Sequence, residues 1–114
     1  MPRNTTKKLN RAAIEKVAEV FRVFSEPTRL QILQELRDGP HSVNELVESL
    51  ETSQANVSKQ LRILYEAGVL AKEKCGTQVF YSIEDDIVVP LCELVCDKLN
   101  RDATAQKPVF SFSI

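Results

Sequence analysis

The stretch from Thr52 to Gly68 constrains the fold more than any other, because it combines a helical apolar stripe with signals that start and stop a helix. Ser53 is a favourable N-cap residue, since its hydroxyl oxygen can accept a hydrogen bond from a backbone N–H of the first turn. Gly68 suits the left-handed conformation that commonly ends a helix. Three apolar residues recur at helical spacing between these signals: Val57, Leu61 and Leu64. The sequence therefore predicts a helix with one face packed on a core.

The opposite face of this predicted helix carries small, amide-bearing and basic side chains. On a wheel of about 100° per residue, Lys59 and Arg62 lie opposite the apolar stripe, with Gln54 and Ser58 beside them. Such a face suits a helix that enters the major groove of double-stranded DNA, where amides meet base edges and basic side chains meet bases or phosphates. The predicted DNA-binding residues of this helix are Gln54, Asn56, Ser58, Lys59 and Arg62. The alternative is an ordinary solvated helix, since these residue types are common on surfaces.

A β-hairpin is predicted directly after this helix, and a second short helix directly before it. Two strand-like runs flank Gly76, with Lys72 and Lys74 on the first run. Ser42 and Glu45 form a capping-box pattern that opens the preceding helix. Two helices joined by a tight turn and followed by a hairpin predict a winged helix-turn-helix, a mainly α fold with a small β-hairpin wing. We expect Lys74 to contact DNA from this wing.

Charge is segregated along the chain of 114 residues, although the formal net charge is only −1. Residues 1–24 carry six positive and two negative charges, whereas residues 84–114 carry three positive and six negative charges. Acidic segments can therefore lie away from DNA while basic ones approach it. No apolar run approaches the ~20 residues of a membrane span, and the polar N-terminus lacks a signal-peptide core. We expect a cytoplasmic protein with no membrane partner.

Two longer helices are predicted to flank the helix-turn-helix, one from about Lys8 to Phe24 and one from Asp86 to Asn100. Apolar side chains cover roughly 220° of the circumference of the second helix. The first helix also has a broad apolar stripe. Both helices therefore require packing partners on two sides.

The predicted domain comprises residues 1–101, and residues 102–114 form a C-terminal tail. Phe110, Phe112 and Ile114 alternate with serines near the end of this tail. Alternation is typical of a strand. The tail is expected either to lie as an extended strap on the protein surface or to be disordered.

Together these motifs resemble the ArsR/SmtB family of small bacterial winged-helix repressors. The matching segments, between about residues 20 and 84, are FSEPTRLQILQEL, SVNELVESL, TSQANVSKQLRILYEAGVL and QVFYSI. The resemblance implies a homodimer, formed through the N- and C-terminal helices, that binds a pseudo-palindromic operator and releases it when an inducer binds. The family's DNA-reading positions fall on Gln54, Ser58, Lys59 and Arg62, and its wing position on Lys74.

Two departures from the family pattern concern DNA recognition. Thr77 stands after the wing glycine, where the family usually has Arg, and Ser58-Lys59-Gln60 stands where it usually has a histidine-containing segment. The operator sequence therefore cannot be carried over from the family.

The resemblance does not identify the inducer, because family members place their sensing sites at different positions. The family's arsenite and cadmium site is a C-x-C pair on the first helix of the helix-turn-helix, and residues 40–46 contain no cysteine. Its zinc site requires histidine on the terminal helix, and residues 86–100 contain none. The only histidine of the chain, His41, is interpreted as a solvated turn residue rather than a ligand.

Cys92 and Cys96 remain as candidate metal ligands on the terminal helix. Residues four apart share a helix face, with Cα atoms roughly 6 Å apart. Thiolates prefer thiophilic species such as arsenite or antimonite, and trivalent arsenic or antimony prefers a third sulfur, from Cys75 or from a partner chain. The alternatives are oxidation or reactive-sulfur sensing at these thiols, and packing without a sensing role. Cys75 is the less favoured ligand, and no cofactor is required for DNA binding.

Two other classes of protein are possible in principle. An enzyme is disfavoured, because the chain has one histidine and no glycine-rich phosphate loop. A winged-helix interaction module that does not bind DNA is the closer rival. Such a module would have no reason to keep a basic recognition face.

Overall fold

The computed structural model describes residues 7–102 and 113–114, and in this part of the chain helices surround a small antiparallel sheet. The elements in chain order are α1 (Arg11–Val23), α2 (Pro27–Leu36), β1 (His41–Ser42), α3 (Val43–Ser49), α4 (Gln54–Glu66), β2 (Leu70–Cys75), β3 (Gln78–Ile83) and α5 (Val88–Asp102). Helices α3 and α4 are the predicted helix-turn-helix, and β2 and β3 are the predicted wing. The mainly α winged helix-turn-helix with a β-hairpin wing, expected from the sequence, is confirmed, and dimerisation through the terminal helices stays a prediction.

The sheet contains one strand more than the sequence predicted. Its order is β1-β3-β2, and both pairings are antiparallel. His41 of β1 pairs with Tyr81 of β3. The His41 side chain is half-buried, and its Nδ1 atom lies 2.9 Å from the Gly39 carbonyl oxygen. His41 therefore lies in a strand rather than in the predicted turn and is only partly solvated, while its not being a ligand stays a prediction. A strand of two residues is too short to show the alternation by which strands are recognised.

Helix α4 begins and ends as the sequence predicted. The Ser53 hydroxyl accepts a hydrogen bond from the Asn56 N–H at 3.1 Å. At the other end Gly68 has φ +79°, and the Val69 N–H donates to the Leu64 carbonyl at 3.0 Å. This is the Schellman arrangement, which satisfies carbonyls that the helix would otherwise leave unpaired. The residues at which α4 begins and ends are thus set by local signals.

Helices α3 and α1 are also capped by side chains at their N-termini. Ser42 and Glu45 form the predicted capping box, with the two bonds at 2.9 and 3.2 Å. Helix α1 begins at Arg11 rather than near Lys8, because the Asn10 side chain accepts a backbone N–H of the first turn. The prediction for α1 was therefore slightly too long at its N-terminus.

The buried core lies between the helix-turn-helix and the base of the wing. It consists of apolar residues from α2, α3, α4, β2, the turns beside them and the first turn of α5: Ile32, Leu33, Leu36, Leu46, Leu50, Val57, Leu61, Leu64, Val69, Leu70 and Val88. Helix α1 contributes no buried residue, and α5 buries only Val88 and Cys92. Among the residues that the structure describes, no helix is long and apolar enough to cross a membrane.

Candidate nucleic-acid interface and cysteine site

Helix α4 presents its polar face to solvent because its apolar face is held in the core. Val57, Leu61 and Leu64 are completely buried. The side chains predicted to contact DNA on the other face are exposed: Gln54, Ser58, Lys59 and Arg62. No ion pair is found for Lys59 or Arg62 among the described residues. Both charges are therefore available to a polyanion.

Asn56 differs from the other predicted DNA-binding residues, because it is half-buried and already hydrogen-bonded within the chain. Its Nδ2 group donates to the Thr52 hydroxyl at 2.9 Å, and its Oδ1 atom accepts from Gln60 Nε2 at 3.0 Å. These two bonds use one N–H and the oxygen of the Asn56 amide, and they leave its second N–H unused. The orientation of the Asn56 amide is thus constrained by hydrogen bonds within the chain.

A buried arginine stands behind Asn56, and sequence reasoning did not identify it. Arg29 of α2 is 9% exposed, and its Nη1 donates to Gln60 Oε1 at 2.7 Å. Its Nε and Nη2 donate to the carbonyls of Val23 and Arg22 at 2.7 and 3.0 Å. These carbonyls belong to the C-terminal end of α1, where the helix dipole favours a cation. The only sequence signal was the placement of Arg29 in the E-P-T-R run.

The wing is attached to α4 by a contact between a cation and an aromatic ring. Lys72 Nζ lies 4.2 Å from the centroid of the Tyr65 ring. Lys74 is exposed further along β2, as the predicted wing contact requires. Cys75 ends the strand at the wing tip and is also exposed. Of the two wing lysines, Lys72 thus contacts α4, while Lys74 is exposed to solvent.

The two cysteines of α5 lie on the side of that helix that packs against its own chain. Cys92 is 5% exposed and Cys96 is half-buried. Burial, and secondarily the neighbouring Cys96, raises the pKa of the Cys92 thiol above its ordinary value, while the Arg37 guanidinium offsets part of the rise. Arg37 also pairs with Glu93 at 2.9 Å, which ties the end of α2 to α5 beside the thiols. Cys92 is thus a protonated, shielded thiol at neutral pH.

An apolar groove of about 350 Å³ runs over both cysteines. It is lined by residues of α2 and α5, by Phe24 and by the last two residues of the chain: Phe24, Leu30, Leu91, Cys92, Val95, Cys96, Leu99, Ser113 and Ile114. Most of the predicted C-terminal tail, including Phe110 and Phe112, lies outside the described residues. Its last residue nevertheless lies beside the thiols.

A complete metal site is not formed by the described part of one chain. No group of three or more His, Cys, Asp or Glu side chains there could hold a metal ion. Cys75 at the wing tip is therefore not brought to Cys92 and Cys96. The structure keeps the predicted pair together but supplies no third ligand from the described residues.

The architecture defines the class of protein. A helix-turn-helix whose second helix exposes a polar, basic face, followed by a lysine-bearing wing, is the arrangement of winged-helix DNA-binding regulators.

Comparisons with known proteins identify the family. The family model described as the bacterial regulatory protein, arsR family, matches residues 26–72. The HTH-type transcriptional regulator MJ1325 of Methanocaldococcus jannaschii is 42% identical over 82 residues, which cover 71% of this chain and 92% of that protein. The chain therefore belongs to the ArsR/SmtB family of transcriptional regulators, as the resemblance implied.

Solved structures agree with this assignment. The crystal structure of Rv0081 from Mycobacterium tuberculosis matches with a TM-score of 0.77 at 29% identity, covering 84% of this chain and 97% of that one. The structure of AntR, an antimony-specific transcriptional repressor, matches with a TM-score of 0.73 at 29% identity, covering 89% and 91% of the two chains.

Proposed function

We propose that this family member is a homodimeric repressor that binds a pseudo-palindromic operator through α4 and the wing. We further propose that a thiophilic inducer acting at Cys92 and Cys96 releases it. The observation that carries the proposal is the division of α4 into a completely buried apolar face and an exposed face bearing Lys59 and Arg62. A helix held in this way presents its side chains in a defined orientation, as reading of base edges requires.

The proposed DNA contacts divide into two kinds. Gln54, Asn56 and Ser58 lie toward the N-terminal end of α4 and are suited to base edges, while Lys59 and Arg62 are suited to guanines or phosphates. Lys74 in the wing is suited to a phosphate contact, which orients the domain but carries little sequence information.

The proposed dimer follows from the apolar surface that the single chain leaves uncovered. The exposed apolar side chains of α1 and α5 include Ile14, Val17, Val20, Phe21, Leu94 and Val95. Large exposed apolar side chains on one helix face need cover, and uncovered apolar surface marks interaction sites. A second copy would align α1 and α5 of both chains, and twofold symmetry matches the two halves of a palindromic operator.

The proposed inducer chemistry is compatible with a protonated Cys92 thiol. When arsenite or antimonite, as the trihydroxide, reacts with two thiols, two metal–sulfur bonds form and two metal–hydroxide bonds break. Each thiol proton leaves with a hydroxide as water, so neither thiol needs to be a free thiolate beforehand. The ion keeps one hydroxide, or exchanges it for a third thiol from the partner chain. The similarity to the antimony-specific repressor AntR supports this class of inducer.

Inducer binding would be transmitted through the subunit interface. Cys92 is buried and Cys96 half-buried on the helix that also bears the exposed Leu94 and Val95, so an ion bound at the thiols would require this helix to repack. The two recognition helices must lie about 34 Å apart to enter successive major grooves. A coupling free energy of about 1–3 kcal/mol would reduce operator affinity about 5- to 150-fold.

DNA binding is tested with an operator selected by this protein from a pool of random duplexes. Replacing Lys59 and Arg62 with Ala should weaken operator binding by about 1–3 kcal/mol for each side chain that reads a base, and by less for a phosphate contact. Lys98→Ala removes one positive charge from α5 and serves as the control for each single substitution. Unchanged affinity in the Lys59→Ala, Arg62→Ala variant, or no selected operator at all, would contradict the proposal.

The sensor is tested with a Cys92→Ser, Cys96→Ser variant bound to the same operator. Arsenite, antimonite, cadmium, peroxide and polysulfide are added in turn, and release is followed by fluorescence anisotropy. The wild-type protein and the Cys75→Ser control should be released by a thiophilic ion, and the double variant should not. Release by peroxide or polysulfide alone would instead establish a redox or reactive-sulfur sensor. Equal release of wild type and double variant would place the sensor elsewhere.

A further inference from the structure

A continuous chain of hydrogen bonds joins the end of α1 to the start of the recognition helix. Arg29 donates to Gln60 at 2.7 Å, Gln60 donates to Asn56 at 3.0 Å, and Asn56 donates to Thr52 at 2.9 Å. The Arg29 guanidinium is itself held by two carbonyls at the C-terminal end of α1. Three elements that are separate in sequence therefore share one polar network.

The direction of every bond in this network follows from the chemistry of its first member. A guanidinium has five N–H donors and no acceptor, so the Gln60 atom facing Arg29 must be its carbonyl oxygen. The Gln60 NH2 group must then face Asn56, and the atom that receives it must be the Asn56 oxygen. The Asn56 NH2 group is left to face Thr52. An arginine at one end thus determines which way two primary amides point.

We infer that Arg29 is a positioning residue that, through Gln60, orients the Asn56 amide so that its NH2 group, and not its oxygen, is presented at the DNA end of α4. The inference rests on the proposed function insofar as it concerns DNA. An amide in a fixed orientation offers the free N–H of Asn56 to an acceptor on a base or phosphate.

Burial explains why this network holds a single arrangement. Arg29 and Gln60 are 9% and 5% exposed, so water cannot readily replace a broken bond. An unpaired buried polar group is costly, and a satisfied network therefore specifies one arrangement. A freely rotating surface asparagine would offer donor and acceptor equally, whereas Asn56 is restricted to one of the two.

Gln60→Glu is the variant that separates orientation from packing. The introduced carboxylate has nearly the same shape as the amide and still accepts from Arg29, but it has no N–H to donate to Asn56. The Asn56 amide should therefore turn over, with its NH2 group donating to the carboxylate and its oxygen receiving the Thr52 hydroxyl hydrogen. Gln34→Glu on α2 makes the same chemical change outside the network.

The first measurement is made by NMR on the full chain without DNA. Nuclear Overhauser effects from the Asn56 NH2 protons should reach Thr52 in the wild type and in Gln34→Glu, and should move to the side-chain protons of residue 60 in Gln60→Glu. Contacts that stay on Thr52 in Gln60→Glu would overturn the inference, whether or not the protein binds DNA.

The second measurement is a double-mutant cycle of operator affinity. Gln60→Glu should weaken binding on the order of 5- to 30-fold in the wild-type background. In an Asn56→Ala background it should weaken binding by less than about twofold, because the residue through which it acts is absent. Equal losses in both backgrounds would show that the variant acts by charge and would overturn the inference.

Thr52→Val and Thr52→Ser provide a test that leaves the buried part of the network untouched. Valine removes the acceptor for the Asn56 NH2 group, whereas serine keeps it, so we expect operator binding to be weaker for Thr52→Val than for Thr52→Ser. Equal binding by the two variants would count against the inference. If the NMR contacts behave as expected but the wild type binds no duplex, the proposed function fails and the orientation of Asn56 stands.

Discussion

Helices α1 and α4 have the same length, 13 residues each, and both are amphipathic, yet their apolar faces have different surroundings. In α4, Val57, Leu61 and Leu64 are completely buried. In α1 no residue is buried, and Val17 and Phe21 are 44% and 60% exposed. An amphipathic pattern therefore shows that a face needs cover, but not whether the same chain supplies it.

Helix α5 has both kinds of apolar surface, one covered within the chain and one left exposed. Val88 and Cys92 are buried, while Leu94 is 67% exposed on another face of the same helix. The proposed sensor pair thus lies at the boundary between the surface that is covered within the chain and the surface that is left open. This position is what would allow a change at the thiols to reach a partner subunit.

The largest effect is expected from a substitution in the covered face of α4. Leu61→Ala should lower the free energy of unfolding by about 2–5 kcal/mol, because it leaves a cavity among completely buried neighbours. Urea denaturation measures it. At a protein concentration low enough to keep the chain monomeric, Val20→Ala on the open face of α1 should cost less than about 1 kcal/mol. Equal losses in the free energy of unfolding for the two variants would contradict the inference that the apolar face of α4 is covered within the chain and that of α1 is not.

A smaller but still large effect is expected when charge is placed on the open faces. Phe21→Glu combined with Leu94→Glu should raise the dimer dissociation constant on the order of 100-fold, since an unpaired charge would be buried at the interface. Analytical ultracentrifugation measures the dissociation constant. Thr77→Glu adds a single negative charge at the wing tip and should leave the dimer unchanged. If the double variant sediments like the wild type, α1 and α5 do not form the interface.

A pH effect should come from the covered face of α5. The raised pKa of the buried Cys92 thiol means that its contribution to stability is fully present below the pKa of the unfolded thiol, about 8.5. That contribution is lost as pH rises through the higher pKa of the folded state. Urea denaturation in this alkaline range should therefore show a steeper loss of stability in the wild type than in Cys92→Ala. Val88→Ala removes a non-titrating neighbour and should keep the wild-type slope, and identical slopes in all three proteins would rule out this effect.

The smallest effect is expected at the ion pair between the end of α2 and α5. Arg37 and Glu93 have side chains that are 37% and 53% exposed, so water screens the pair. A double-mutant cycle with Arg37→Ala and Glu93→Ala should give a coupling energy of no more than about 1 kcal/mol in urea denaturation. A coupling well above this value would mean that α5 is held to the core more firmly than its open face indicates.

Local signals in the sequence predicted the helix-turn-helix and the wing. The Ser53 cap, the Gly68 stop and the Ser42 capping box act between residues a few positions apart, so they can be recognised without a tertiary structure. The exposure of Lys59 and Arg62 followed from the helical period alone. The domain boundary near residue 101 and the roles of the individual DNA-binding residues stay predictions.

Tertiary structure decided the features that depend on residues far apart in the chain. Strand β1 exists only because β3 pairs with it, and two residues carry no periodic signal of their own. The bond from Arg29 to Gln60 spans 31 positions, and in sequence these two residues look like ordinary members of two helices. Residue type and period determined which faces of this protein are polar. Which polar groups meet in the interior was determined by packing, because a buried donor must find its acceptor wherever the fold brings one.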